Sequence, residues 1–304
     1  MHTKFEALPE HTETLRRIAA SGAELKIFLH IAKTGGTTLG LAFHNSPLAI
    51  RLGVYDLSVS KTELEGRNDD MAKWELKRIN RLMWLADRDN TGQKVYLQAI
   101  DHKTISYADE LCVALNSAHP VPIVTTVRPA RQRLISAFRD YWTQVHKAHA
   151  MLAGEEISTN FLGSDSPDLF DVPALMNYLD DSKHYVNADG QLDGVAWFSS
   201  FAEHGSGIPF FMDDIFEHDV QGFAERVKSG KLRLIPSHRL DRYIKKNLRV
   251  APQRHRASAA PSSEIMAALK ASSSILTEVA LRDADYDRII ARNVLSPQFL
   301  PSKK

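Results

Sequence analysis

The chain has 304 residues, 43% hydrophobic and 25% charged, an ordinary globular composition with room for one large α/β domain or two small ones. Lysine and arginine total 38 against 37 acidic residues, so there is no global basic field to hold nucleic acid, and any cation that binds a ligand must act locally. The single cysteine, Cys112, excludes an intramolecular disulfide and, in the apolar run Leu111-Cys112-Val113-Ala114-Leu115, reads as a buried, inert thiol.

In chain order, Met1-His2-Thr3-Lys4-Phe5-Glu6 lacks the apolar core of a signal peptide, and no segment is long and apolar enough to span a bilayer. A helix is expected over 10–20, stopped at Ser21-Gly22, and a first strand over 25–31. That strand ends in Lys33, Thr34, Gly35, Gly36, Thr37 and Thr38, the last two opening a helix to about 44. Glycine lets an anion approach the backbone N–H groups closely, and the first helical turn adds unpaired donors and the positive end of the helix dipole. Lys33 adds a mobile charge, and Thr37 and Thr38 add hydroxyls, which together make a cradle for a phosphate-like group. A nucleoside-triphosphate P-loop places its lysine after the glycines. Here the lysine precedes them, and no glycine lies between Gly22 and Gly35. The plain alternative is a tight strand-to-helix turn that binds nothing.

Helical periodicity follows over 61–89, with Trp74, Ile79, Leu82, Met83 and Leu85 on one stripe. Trp74 and Trp84 suit a core, although an exposed tryptophan could stack a sugar. A strand over 94–99 leads into Ile100-Asp101-His102, a helix covers about 106–117, and an apolar β-rich run fills 121–127. Residues 143–230 are irregular, with many glycines and prolines between short apolar runs. A late strand over 232–235, a helix over 239–248 after Ser237, and a loop over 251–261 containing Arg254-His255-Arg256 come next. A final helix spans about 262–292, broken near Asp283. This alternation implies a mostly parallel sheet flanked by helices, with ligands at the strands' C-terminal ends. The 13 histidines lack a convincing metal spacing, including His146 and His149 at i, i+3. No metal site is expected.

His30-Ile31-Ala32-Lys33-Thr34-Gly35-Gly36-Thr37-Thr38 closely resembles the HIPKTGGTT/S signature of carbohydrate sulfotransferases, the group containing the heparan sulfate 2-O- and 6-O-sulfotransferases and their bacterial relatives. The resemblance implies that Lys33, Thr34, Gly35, Gly36, Thr37 and Thr38 hold the 5′-phosphosulfate of 3′-phosphoadenosine 5′-phosphosulfate (PAPS). Ala32 stands where the family often has proline, a change that removes rigidity and no ligand. Downstream, Arg128-Pro129-Ala130-Arg131-Gln132-Arg133-Leu134-Ile135-Ser136 is similar to the family's 3′-phosphate motif, RDPVERLxSAY at a helix start. Arg128 and Ser136 keep the family's separation of eight, while its Asp is missing and the proline has moved forward to Pro129. An arginine fork and a serine hydroxyl suit a phosphate monoester; an arginine-rich solvated helix face is the alternative.

The resemblance further implies a P-loop-like three-layer fold forming one sulfotransferase domain over 1–304, with 143–230 as an acceptor-binding insertion. Arg254 and Arg256 fall where the family closes a basic loop over the nucleotide, and a solvated loop fits them as well. Many animal relatives carry a membrane anchor; its absence here, with one cysteine, leads to the expectation of a soluble cytoplasmic enzyme of bacterial type.

The implied reaction is in-line displacement by an acceptor hydroxyl on sulfur, with charge growing on the bridging oxygen. Lys33 is the expected cation there, and no metal is required because a sulfuryl group carries less charge than a phosphoryl. His102 is the first choice of general base, at a strand end resembling the Gly-His of the uronosyl sulfotransferases. Asp101 replaces that glycine, and it could be the base itself or orient the imidazole. A purely structural His102 is the other reading. The acceptor is expected to be a carbohydrate or glycoconjugate. The rivals are a kinase or other phosphoryl transferase with a degenerate P-loop, which would demand Mg²⁺ ligands, and a catalytically inactive glycan-binding relative.

Overall fold

The computed structural model describes residues 9–31, 34–54, 59–68, 70–99, 105–115, 121–137, 188–189, 193, 211–252, 267, 269–271 and 273–294. By compactness the chain divides into one unit of residues 1–128, 208–253 and 285–304 and a second of 129–207 and 254–284.

The first unit is built on a five-stranded sheet. In chain order, helix α1 (Pro9–Ala20) leads to strand β1 (Glu24–Leu29), α2 (Gly36–Asn45) and β2 (Ala49–Val54). Helices α3 (Lys61–Glu65) and α4 (Asp70–Ala86) then precede β3 (Lys94–Ala99), α5 (Ile105–Leu115), β4 (Ile123–Val127) and, much later, β5 (Leu232–Pro236). The strand order is β2-β3-β1-β4-β5 and every pairing is parallel. β1 lies at the centre, where both faces are covered, and its last five residues are all buried. A near-continuous apolar run is what such a strand requires.

Alternation along the strands sends side chains to two cores. Leu25, Ile27, Leu29, Val95, Leu97, Ile123 and Leu232 face one layer, formed by α1, α4, α5, the Val220–Ser229 helix and the Ala284–Val294 helix. Phe28, Tyr96, Val124 and Ile235 face the other, formed by α2 and the Leu240–Leu248 helix. The architecture is the expected three-layer α/β arrangement.

Three details differ from the sequence expectation. β2 was not anticipated: Arg51 and Gly53 interrupt its apolar character, as an edge strand permits, and it pairs only with β3. The stretch 61–89 is two helices, because Ser60 accepts from the Glu63 N–H at 3.1 Å to cap a short α3 that stops at Gly66. Residues 211–229, inside the stretch read as an insertion, supply Met212, Ile215, Phe216 and Phe223 to the first core. That core ends in a ring cluster in which Phe216, Phe223 and Tyr286 have centroids 4.6–6.1 Å apart.

In the second unit, residues 130–137 are helical. Arg133 on that helix is wholly buried and paired with Asp283, also wholly buried, at the break between the Ser273–Arg282 and Ala284–Val294 helices.

Candidate functional site

The connection after β1 runs towards β2 on one side of the sheet, whereas β4 leads to β5 on the other. The C-terminal ends of β1 and β4 therefore flank the topological switch point, where open parallel sheets leave a crevice for ligands. Both sequence motifs begin at this place, one after β1 and one after β4.

The turn after β1 explains its two glycines separately. Gly35 caps α2 at φ 102° and ψ 14°, a left-handed conformation that costs glycine nothing and other residues a clash with the carbonyl. Gly36 has no room for a side chain: a Cβ there would fall 1.9 Å from the His30 ring. His30 is in turn stacked on Phe28 at 5.8 Å and 19°, in a set continued by Phe43 and Tyr96 beneath α2. His30 thus braces the turn from below.

α2 begins with no side-chain cap and no acidic residue in its first turn. Its first intrahelical bond runs from the Leu39 N–H to the Gly35 carbonyl at 3.1 Å. The helix consequently offers no acceptor to the N–H groups of Gly36, Thr37 and Thr38, and its own first turn holds no acidic residue to offset the dipole. That combination favours an anion. Thr38 is half-buried in this turn, and Thr37 contributes its backbone.

Thr34 faces inward. Its side chain is wholly buried, and its hydroxyl donates to the Ile31 carbonyl at 2.7 Å while lying 2.6 Å from the Thr126 hydroxyl. The side chain is an internal tie between the turn and β4, leaving ligand contact to the backbone. Thr125, next in β4, donates to the Leu29 carbonyl at 2.7 Å. These two threonines went unnoticed in the sequence, although paired hydroxyls in an otherwise apolar strand demand partners.

Arg128 follows β4 directly. It is half-buried, its Nε donates to the Ser237 hydroxyl across a long 3.4 Å, and burial draws its pKa below the ordinary arginine range. A guanidinium held partly out of water is favourably placed to receive an anion. Ser237 opens the turn after β5, and Leu240, which starts the next helix, lies against Gly35: a Cβ on that glycine would meet its side chain at 2.8 Å. Ser136, half-buried, lies on the 130–137 helix of the second unit. Arg133 on the same helix is committed to Asp283.

The structure therefore brings together Thr34, Gly35, Gly36, Thr37, Thr38 and, at the end of the neighbouring strand, Arg128. Lys33, Asp101, His102, Arg254 and Arg256 lie outside the described residues.

Among the described residues, Asp213, Asp214 and His218 form a set whose potential ligand atoms lie within 4.8 Å of one another. Asp213 bonds to the His218 ring at 2.6 Å and accepts from the Tyr286 hydroxyl at 3.3 Å, so protein groups already engage both its oxygens. Cys112 is half-buried, its thiol donates to the Val121 carbonyl at 3.4 Å, and burial pushes its pKa up to about 11, the opposite of an activated nucleophile. No protein-family model, curated protein or solved structure matches the chain.

Proposed function

We propose that this chain is a PAPS-dependent sulfotransferase that moves a sulfuryl group to a hydroxyl of a carbohydrate or glycoconjugate. The observation that carries the reading is the pairing at the switch point. A glycine-glycine turn opening an acid-free helix N-terminus follows β1, and a partly desolvated arginine follows the adjacent β4. A nucleotide with phosphate groups on both its 3′ and 5′ positions needs two separate anion grips, and the two motifs resemble those of the carbohydrate sulfotransferases in sequence and in order.

In this reading the N–H groups of residues 35–38 hold the 5′ group, and Arg128 with Ser136 holds the 3′-phosphate. Lys33 stabilises the charge that grows on the bridging oxygen. His102 takes the acceptor proton, with Asp101 orienting it or replacing it, and Arg254 and Arg256 close over the nucleotide. The cofactor supplies the transferable sulfuryl group. The protein acts as a cytoplasmic enzyme of bacterial type, and no helix among the described residues is long and apolar enough to cross a membrane.

The test is calorimetry of the purified protein with adenosine 3′,5′-bisphosphate and with magnesium-ATP, followed by radiolabelled-sulfate transfer from PAPS to a panel of glycans. Heat with the bisphosphate and label on a glycan are expected. Heat with magnesium-ATP alone overturns the proposal. In the transfer assay, His102→Ala is expected to slow turnover by roughly 10²–10⁴-fold with unchanged nucleotide affinity.

A further inference from the structure

The backbone ladder between β1 and β4 ends at the Leu29–Thr125 row. Beyond it, among the described residues, side-chain hydroxyls link β4 to the turn after β1. Thr34 has one proton and gives it to the Ile31 carbonyl, so the proton in the 2.6 Å Thr34–Thr126 contact comes from Thr126. Donation runs one way, from β4 into the turn and from the turn back to Ile31, just past the end of β1. Both hydroxyls are fully buried, where an unmade hydrogen bond is costly and thermal escape to water is closed. Valine has nearly the shape of threonine and would fill the same space without a polar group. Packing alone therefore gives no reason for a hydroxyl at 126.

Thr34 immediately precedes Gly35, whose left-handed conformation sets where α2 begins. Whatever holds Thr34 holds the N–H groups that follow it. We infer that Thr126 is a positioning residue for the anion-binding turn: its hydroxyl, acting through Thr34, pins the first turn of α2 in its binding geometry. The identity of the bound group, a nucleotide 5′-phosphate or phosphosulfate, rests on the proposed function; the clamp itself does not.

Two measurements on wild type, Thr126→Val and Thr126→Ser test this. The first is calorimetry with adenosine 5′-monophosphate, adenosine 3′-monophosphate and adenosine 3′,5′-bisphosphate. Thr126→Val is expected to weaken the two 5′-bearing ligands about tenfold, the worth of one hydrogen bond. It should leave the 3′-monophosphate unchanged, and Thr126→Ser should restore wild-type values. Equal losses for all three ligands, or none, overturn the inference. The second is amide hydrogen exchange at Leu39, the first hydrogen-bonded amide of α2, in ligand-free protein. Faster exchange in Thr126→Val and normal exchange in Thr126→Ser are expected, and an unchanged rate in Thr126→Val overturns the clamp. If wild type binds none of the three nucleotides, the sulfotransferase reading fails, and the Leu39 exchange rate alone decides the clamp.

Discussion

Gly35 and Gly36 serve the turn for different reasons, one conformational and one steric. Gly36→Ala drives a methyl into the His30 ring, so nucleotide heat should disappear from calorimetry, and adding His30→Ala should recover part of it by vacating the space. Lys33→Ala is expected to abolish sulfate transfer. Arg128→Ala should raise the dissociation constant of adenosine 3′,5′-bisphosphate by roughly 10–100-fold, the range for a charge-assisted hydrogen bond, while adenosine 5′-monophosphate binds as before. Wild-type behaviour in both variants would remove these residues from the site. The glycine pair and its threonines were legible because turn chemistry is local. The role of Thr34 was less so: it turns inward because β4 happens to be the neighbour of β1. No spacing within the motif encodes that adjacency.

Strands and helices with continuous apolar patterns were read from the sequence close to their true bounds: β1, β3, β4 and β5, with α1 and α5. The errors fell where local signals compete. β2 carries Arg51 on a strand whose neighbour supplies the burial, and α3 is set apart from α4 by a Ser60 cap and Gly66 within a continuous helical periodicity. The 130–137 helix shows a third limit. Its Arg133 belongs to an arginine-rich run that suits a solvated face, yet it is wholly buried against Asp283, a residue far along the chain. Removing one member of this buried ion pair takes away the opposite charge that the other was buried against. Arg133→Ala or Asp283→Ala should therefore cost about 3–5 kcal/mol in urea unfolding. The double replacement Arg133→Met, Asp283→Leu should recover most of that loss. A single variant within 1 kcal/mol of wild type, on the order of a surface pair's worth, would contradict the assignment.

At the scale of the molecule, near-neutral net charge left binding to local cations, and the strand–helix alternation was enough to anticipate a parallel sheet in three layers. If sulfuryl transfer proceeds without a metal, release of adenosine 3′,5′-bisphosphate should be unchanged by excess EDTA; loss of turnover that magnesium restores would point to phosphoryl chemistry instead. The sheet also constrains how the protein is made. β4 emerges from the ribosome with one edge still open, and its partner β5 follows only after the whole stretch from Val127 to Leu232 has been synthesised. Until then a bare row of backbone donors and acceptors, on a strand whose five residues are all apolar or threonine, is available to other nascent chains. Arresting translation before Leu232 should therefore yield a product that aggregates or recruits chaperones, and extending it past Pro236 should relieve both.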